Sequence, residues 1–194
     1  HPTFFAPMEG VEIAGLEAGI ENGRGGLGTI YMFAAGNDRA DNGNANYGGY
    51  VASRYTIGIG AINDQGRNSA YSNPGCALVV SAPSSDPEFI SDEVHQGITT
   101  TELQSLGNGY TDEFGGTSSA TPLTTGVVAL MLEANPNLGW RDVQEILIAS
   151  ARKNDAGDAD WQDNANGYHF NHRYGAGMVD ALAAVNLAKT WVNL

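Results

Sequence analysis

Cysteine is nearly missing from this chain, with Cys76 the single one in 194 residues. No intramolecular disulfide can form, so neither an oxidising nor a reducing compartment is marked. Its place just before the apolar run Ala77-Leu78-Val79-Val80 predicts a small buried side chain rather than a catalytic thiol. Basic residues are almost as scarce: nine Lys and Arg stand against 22 Asp and Glu, a net charge of −13. A nucleic-acid binder neutralises phosphates with clustered Lys and Arg, and no basic patch occurs, which excludes that class of partner. Long hydrophobic runs are absent too, and no uninterrupted apolar stretch reaches the length of a membrane span. The first residues show neither Met nor a charged-then-apolar leader, as expected of a mature or cleaved product. The 42% of apolar residues suffices for the core of one ordinary domain or part of a larger one.

Periodicity places the elements. Val11, Ala14, Gly15 and Ala18 fall at helical spacing within Glu9 to Asn22, and a glycine-rich turn ends the pattern at Gly23. Three short stretches read as buried strands: Gly28 to Ala35, Tyr55 to Ile62 and Ala77 to Ala82. Residues 83 to 112 are polar and read as loop with at most a hairpin. The segment after Ser118 is apolar nearly all round, which predicts a central buried helix. Trp140 to Ala151 is amphipathic, and Asp180 is placed to cap a last helix with Ala181, Ala184, Val185, Ala188 and Trp191 on one face. This alternation predicts an α/β fold with a mostly parallel sheet covered by helices on both sides.

The chemistry concentrates in Gly115-Gly116-Thr117-Ser118-Ser119-Ala120-Thr121-Pro122. A serine hydroxyl becomes a useful nucleophile when a fold holds it exposed beside a base and an oxyanion site. Two glycines let the backbone bend, and Ser118 falls at a helix N-terminus, where the dipole favours developing negative charge. On these residues alone a helix cap is the competing reading, with Pro122 at home in a first turn that needs no N–H from it. Asn37, ending Phe33-Ala34-Ala35-Gly36-Asn37 where a strand leaves the sheet, is open to two readings, an ordinary turn residue or a ligand-facing one.

The octapeptide resembles the Gly-Thr-Ser-x-Ala-x-Pro signature of subtilisin-like serine proteases. Asn22 to Gly28, Ala34 to Asn37, Leu132 to Leu138 with Trp140 to Gln144, and Tyr174 to Ala181 follow in the order and rough spacing of the kexin- and furin-like branch. A bacterial, calcium-dependent member of that branch is one form the resemblance takes. It implies the C-terminal portion of a subtilisin-like three-layer domain over residues 1–194, secreted or at the cell envelope and acting on polypeptide substrates. It also implies that Ser118 is the nucleophile, that the Asn37 amide donates to the oxyanion, and that Ala34, Ala35 and Gly36 wall the substrate pocket.

The same resemblance exposes an absence. The family's catalytic Asp and His precede the oxyanion Asn, yet only 36 residues precede Asn37. Of the four histidines, His1 is the chain end, while His95 in the polar stretch and His169 and His172 after Ser118 read as surface residues, and none reads as the base. His169 and His172 without a third ligand are a weak metal signal. An N-terminal fragment carrying the Asp and His is therefore the implied partner. Gly48, before Gly49-Tyr50, stands where the convertases hold a basic substrate side chain with an Asp, and Phe5 where they have another acid. Their calcium-binding Glu becomes Asn73 in Tyr71-Ser72-Asn73-Pro74-Gly75-Cys76. Asp41 is the remaining candidate calcium ligand, with a solvated acidic loop as the equal alternative.

Overall fold

The computed structural model describes residues 3–86, 96–105 and 107–194. His1 and His95 lie outside the described residues. The expected elements are present, with edges moved by one to three residues. Three parallel strands, β1 (Tyr31–Ala34), β2 (Thr56–Ile62) and β3 (Leu78–Pro83), form a sheet in the order β1-β2-β3. Every residue of β2 is buried, as its central position requires. The outer edge of β3 is covered by the 176–179 segment, whose Ala176 and Val179 N–H groups donate to Val79 and Ser81 at 2.8 and 2.9 Å. The outer edge of β1 has no strand partner among the described residues.

Among the described residues four α-helices accompany the sheet: α1 (Gly10–Asn22), α2 (Thr117–Ala134), α3 (Trp140–Ser150) and α4 (Ala181–Thr190). The core is built where Ile57, Ile59, Ala61 and Val80 of the sheet meet Val127, Val128 and Met131 of α2, Val143, Ile146 and Leu147 of α3, and Ala184 and Ala188 of α4. Each fully buried Val, Ile, Leu or Met side chain among them stabilises the fold by about 1.5–3 kcal/mol. The helices start where capping chemistry allows: Asp180 accepts the Ala183 N–H at 2.9 Å, and the Asp142 carboxylate accepts the Gly139 N–H at 2.7 Å. Buried Asp142 also receives the Trp191 indole N–H and the Leu194 N–H, each at 2.9 Å, which ties the end of the described chain to α3.

Three expectations change. The helix after Ser118 is not buried all round: Ser118, Pro122, Thr125, Gly126, Ala129 and Leu130 recur at helical spacing as an exposed stripe, with Leu130 50% exposed. Pro122 is not in the first turn but at the sixth helical position, so the bond its N–H would make to the Ser118 carbonyl is forfeited. Cys76 is exposed, because it sits in the turn ahead of β3 rather than in the strand. A hairpin does occupy part of the polar stretch, as β4 (Ile98–Thr101) and β5 (Tyr110–Phe114). Sequence periodicity gave no sign of the two-residue strands β6 (Gln162–Asp163) and β7 (His169–Phe170), which are too short to show one.

Candidate active site

Three segments converge at the carboxyl end of the parallel sheet, where open α/β folds bind ligands. Asn37 follows β1, Ser84 and Ser85 follow β3, and the Gly115-Gly116 turn delivers α2 with Ser118 as its second residue. Gly116 has φ +78°, and a Cβ built there would lie 2.9 Å from the Asn37 Nδ2, so the turn has room for glycine only. No side chain of its own caps α2. The cap comes instead from Asn37, whose Oδ1 accepts both the Thr117 N–H at 2.9 Å and the Thr117 Oγ1–H at 2.8 Å. The Gly36 N–H donates in turn to Thr117 Oγ1 at 3.2 Å, so donors and acceptors run in one direction.

That chain of bonds settles which way the Asn37 amide faces. Two donors on one atom identify it as the carbonyl oxygen, leaving Nδ2 on the other side of the amide, over Gly116. The Nδ2 group has no acceptor among the described residues, and the Ser118 N–H, second in its helix, has no carbonyl behind it to bond. Ser118 itself is exposed. Two unspent N–H donors and an exposed hydroxyl at a helix N-terminus suit a group that develops negative charge.

A buried hydroxyl cluster fixes the turn from below. Tyr71 OH donates to the Ser85 carbonyl at 2.7 Å and accepts the Gly116 N–H at 3.0 Å. It also meets Ser84 Oγ at 2.7 Å, and Ser84 Oγ reaches Ser119 Oγ at 2.7 Å and the Gly116 carbonyl at 2.8 Å. All three side chains are buried. Sequence reading found neither Tyr71 nor Ser84 in this role, since nothing in the local pattern joins residues 45 and 32 positions from Gly116. Tyr71→Phe strands the Gly116 N–H without a partner and is expected to destabilise the protein by about 1–3 kcal/mol, read as a lower midpoint in urea unfolding.

The other sequence-predicted residues fall as follows. Ala35 and Gly36 are buried beside Asn37, the Ala35 side chain packing on Ala45 and Leu78, while Ala34 ends β1 half-buried. Gly48 bridges to Ala6 and lines a separate cavity of about 350 Å³ with Met8, Glu12, Phe33, Tyr50 and Val51. Asp41 is exposed on a single 3-10 turn, Arg39–Asp41. Phe5 is 70% exposed. His172 is no base for Ser118: its carbonyl accepts the Gly75 N–H at 2.7 Å in the turn ahead of β3, at the end of the sheet opposite Ser118, and its Nδ1 lies 2.9 Å from Asp160, whose carboxyl is held below the usual carboxylate range, first by the His172 backbone N–H. His169 is half-buried rather than on the surface, edge-on to Trp161. A larger cavity of about 530 Å³, rimmed by Cys76, Glu145 and His169, sits at the amino end of β3, away from this chemistry.

Comparison with known proteins identifies the family and the fold. The Subtilase family (peptidase S8) matches residues 9–177. The chain is 40% identical over 179 residues to "PC3-like endoprotease variant B" of Hydra vulgaris, covering 92% of this chain and 24% of that one. It is 42% identical over 184 residues to "Kexin" of Saccharomyces cerevisiae, again 92% of this chain and 21% of the relative. The chain thus spans about a quarter or less of the length of these relatives. The fold is that of a serine protease of Aeromonas sobria, with a TM-score of 0.85, 21% identity, and coverage of 100% of this chain and 42% of that one. Parallel sheet, serine at the start of the central helix and matched family signature lead to one conclusion: the chain belongs to the Subtilase family.

Proposed function

We propose that this chain is the C-terminal part of the catalytic domain of a serine endopeptidase, supplying the nucleophile and the oxyanion hole while an N-terminal portion supplies the Asp and His. The observation that carries the reading is the Asn37 amide, locked by Thr117 with its N–H group unspent, beside an exposed Ser118. The histidine takes the proton from Ser118 Oγ as that oxygen bonds the substrate carbonyl carbon, and the C=O electron pair moves onto oxygen. Asn37 Nδ2–H and the Ser118 N–H donate to the oxyanion. Collapse breaks the C–N bond, the histidine returns the proton to the leaving amine, and water then hydrolyses the acyl-serine by the same steps.

The surface supports an N-terminal partner of the same protein. The open edge of β1 and the exposed, largely apolar stripe of α2 are neighbours, since the Thr125 hydroxyl donates to Met32 Sδ at 3.2 Å. An unpaired strand edge beside apolar surface is a place that another chain segment covers. A secreted or cell-envelope setting goes with this reading. No helix among the described residues is long and apolar enough to cross a membrane.

Substrate preference follows from Gly48. Its cavity is walled by Met8, Phe33, Tyr50 and Val51. The carboxylate there, Glu12, is already engaged by the Tyr50 hydroxyl at 2.5 Å and the Glu9 N–H at 2.7 Å, and the Tyr50 bond lowers its pKa. With no carboxylate from Gly48 itself and with Glu12 held by Tyr50 and the Glu9 N–H, cleavage is expected to extend beyond Arg and Lys at P1, and Gly48→Asp to narrow it towards Arg. Profiling on a peptide library checks this, and cleavage confined to Arg or Lys in the unaltered protein contradicts it.

Calcium fits these residues poorly. The ion takes six to eight oxygens, whereas Asp41 stands alone on an exposed turn and no group of three His, Cys, Asp or Glu among the described residues could hold a metal. Asp38 Oδ2 is buried without a partner, but it is one oxygen. Asp41→Asn is expected to leave any calcium-induced rise in Tm unchanged, and loss of that rise would make Asp41 a ligand.

The reading as a whole is tested by hydrolysis of fluorogenic peptides by the complete catalytic domain. Turnover is expected. A domain that binds these peptides without cleaving them would mark an inactive, scaffold-like relative instead.

A further inference from the structure

The loop that carries Asn37 is laced from beneath by one side chain that belongs to no part of the reaction described above. Asn73 is fully buried, in the connection between β2 and β3. Its Oδ1 accepts the Asp38 N–H at 2.9 Å, its Nδ2 donates to the Ala35 carbonyl at 3.2 Å, and its own backbone N–H donates to the Gly36 carbonyl at 3.0 Å. These three bonds reach the residue after Asn37 and the two before it. No bond from Asn73 goes to Asn37 itself. The side chain of Asn37 is set by Thr117, but the place of its Cα is set by the peptides on either side, and one residue holds both.

Gly43 completes the lace. Its N–H donates to the Asp38 carbonyl at 2.7 Å, so both backbone polar groups of Asp38 are tied down. A Cβ on Gly43 would lie 2.6 Å from Asn73 Oδ1 and 2.7 Å from the Asp38 oxygen. The two backbones meet only because position 43 has no side chain.

Resting on the oxyanion reading given above, we infer that Asn73 is a positioning residue for the oxyanion donor, acting on the reaction only through Asn37. An oxyanion donor is effective over a narrow range of distances from the charge that develops, and it must already be in place when the charge appears. Releasing the Asp38 N–H and the Ala35 carbonyl lets the Asn37 amide drift, while Ala35 and Gly36, the expected pocket wall, keep their backbone bonds to the Ile59 carbonyl and from the Asn73 N–H, so substrate binding changes little. Buried beneath the loop, Asn73 has no route to the substrate.

The complete catalytic domain carrying Asn73→Ala, Asn37→Ala and both changes together tests this, with active sites counted by titration of Ser118 with an organophosphonate. Asn73→Ala is expected to lower kcat about ten- to a hundred-fold, the scale of a small misplacement at a reacting centre, with KM changed by less than about threefold. In the Asn37→Ala background the same change is expected to lower kcat by less than about threefold, because the donor it positions is already gone. Gly43→Ala keeps the Asn73 amide but pushes against it, and is expected to show the same non-additive pattern, which covers the case of an Asn73→Ala protein that does not fold. Equal losses of kcat in both backgrounds, or full kcat in Asn73→Ala, overturn the proposal. Full kcat in Asn37→Ala alone would instead bring down the oxyanion reading, and the proposal with it.

Discussion

Ser118→Ala is expected to lower the turnover of the complete catalytic domain by about a million-fold, to the residual rate that the oxyanion donors and substrate binding supply by themselves. The magnitude is the one seen for the nucleophile of subtilisin, a relative of this chain, where removing the serine alone costs about as much as removing the whole triad. Its physical basis is that without Oγ no acyl-enzyme forms, and the remaining donors stabilise only a slower direct attack by water. The structure makes this a clean substitution. Ser118 is exposed, and the contacts that hold the turn belong to Thr117 and Ser119, so alanine removes the nucleophile while the Asn37 cap and the hydroxyl cluster stay. Kinetics on a good peptide substrate, with Tm as a control for folding, check it.

Asn37→Ala is expected to lower kcat about a hundred- to a thousand-fold with little change in KM, because the amide bonds a charge that exists only in the transition state. That range is the one seen for the oxyanion asparagine of subtilisin, a relative of this chain. Asn37 has a second task here, since its Oδ1 caps the first N–H of α2 from 80 residues away. Loss of an N-cap costs about 0.5–2 kcal/mol. The variant is therefore expected to melt lower as well as turn over more slowly. Asn37→Asp separates the two effects: it keeps the acceptor for Thr117, so stability is expected to recover, while the N–H donor is gone and kcat stays low. Full kcat with weakened binding in Asn37→Ala would make the residue a pocket wall instead.

The parts of the site legible in the sequence are those encoded locally. Gly115-Gly116 before an apolar segment specified a tight turn feeding a helix, and Ser118 stands on that helix. Asn37 at the end of an apolar stretch specified a residue leaving the carboxyl edge of the sheet. What the sequence hid are pairings between distant segments: the Asn37 cap on Thr117, the Tyr71-Ser84-Ser119 cluster, and the Asn73 lace. Serines, tyrosines and asparagines have no periodicity that points to a partner, and a hydroxyl in a loop looks the same whether it faces water or a buried carbonyl. Local reading also misjudged burial where the neighbourhood decides it. Cys76 leans on an apolar run but lies before it, and the apolar stripe from Pro122 to Leu130 faces outward because the described residues place nothing over it.

The central claim is that Ser118 is a nucleophile whose base lies outside this chain. The rate at which an organophosphonate serine probe labels the protein, mapped to the modified peptide, tests it most directly. Residues 1–194 alone and the same residues together with the N-terminal portion would be compared. Rapid labelling at Ser118 is expected only in the assembled protein, lost in Ser118→Ala. Equally rapid labelling of the isolated chain at Ser118, or labelling at any other serine, would contradict the account.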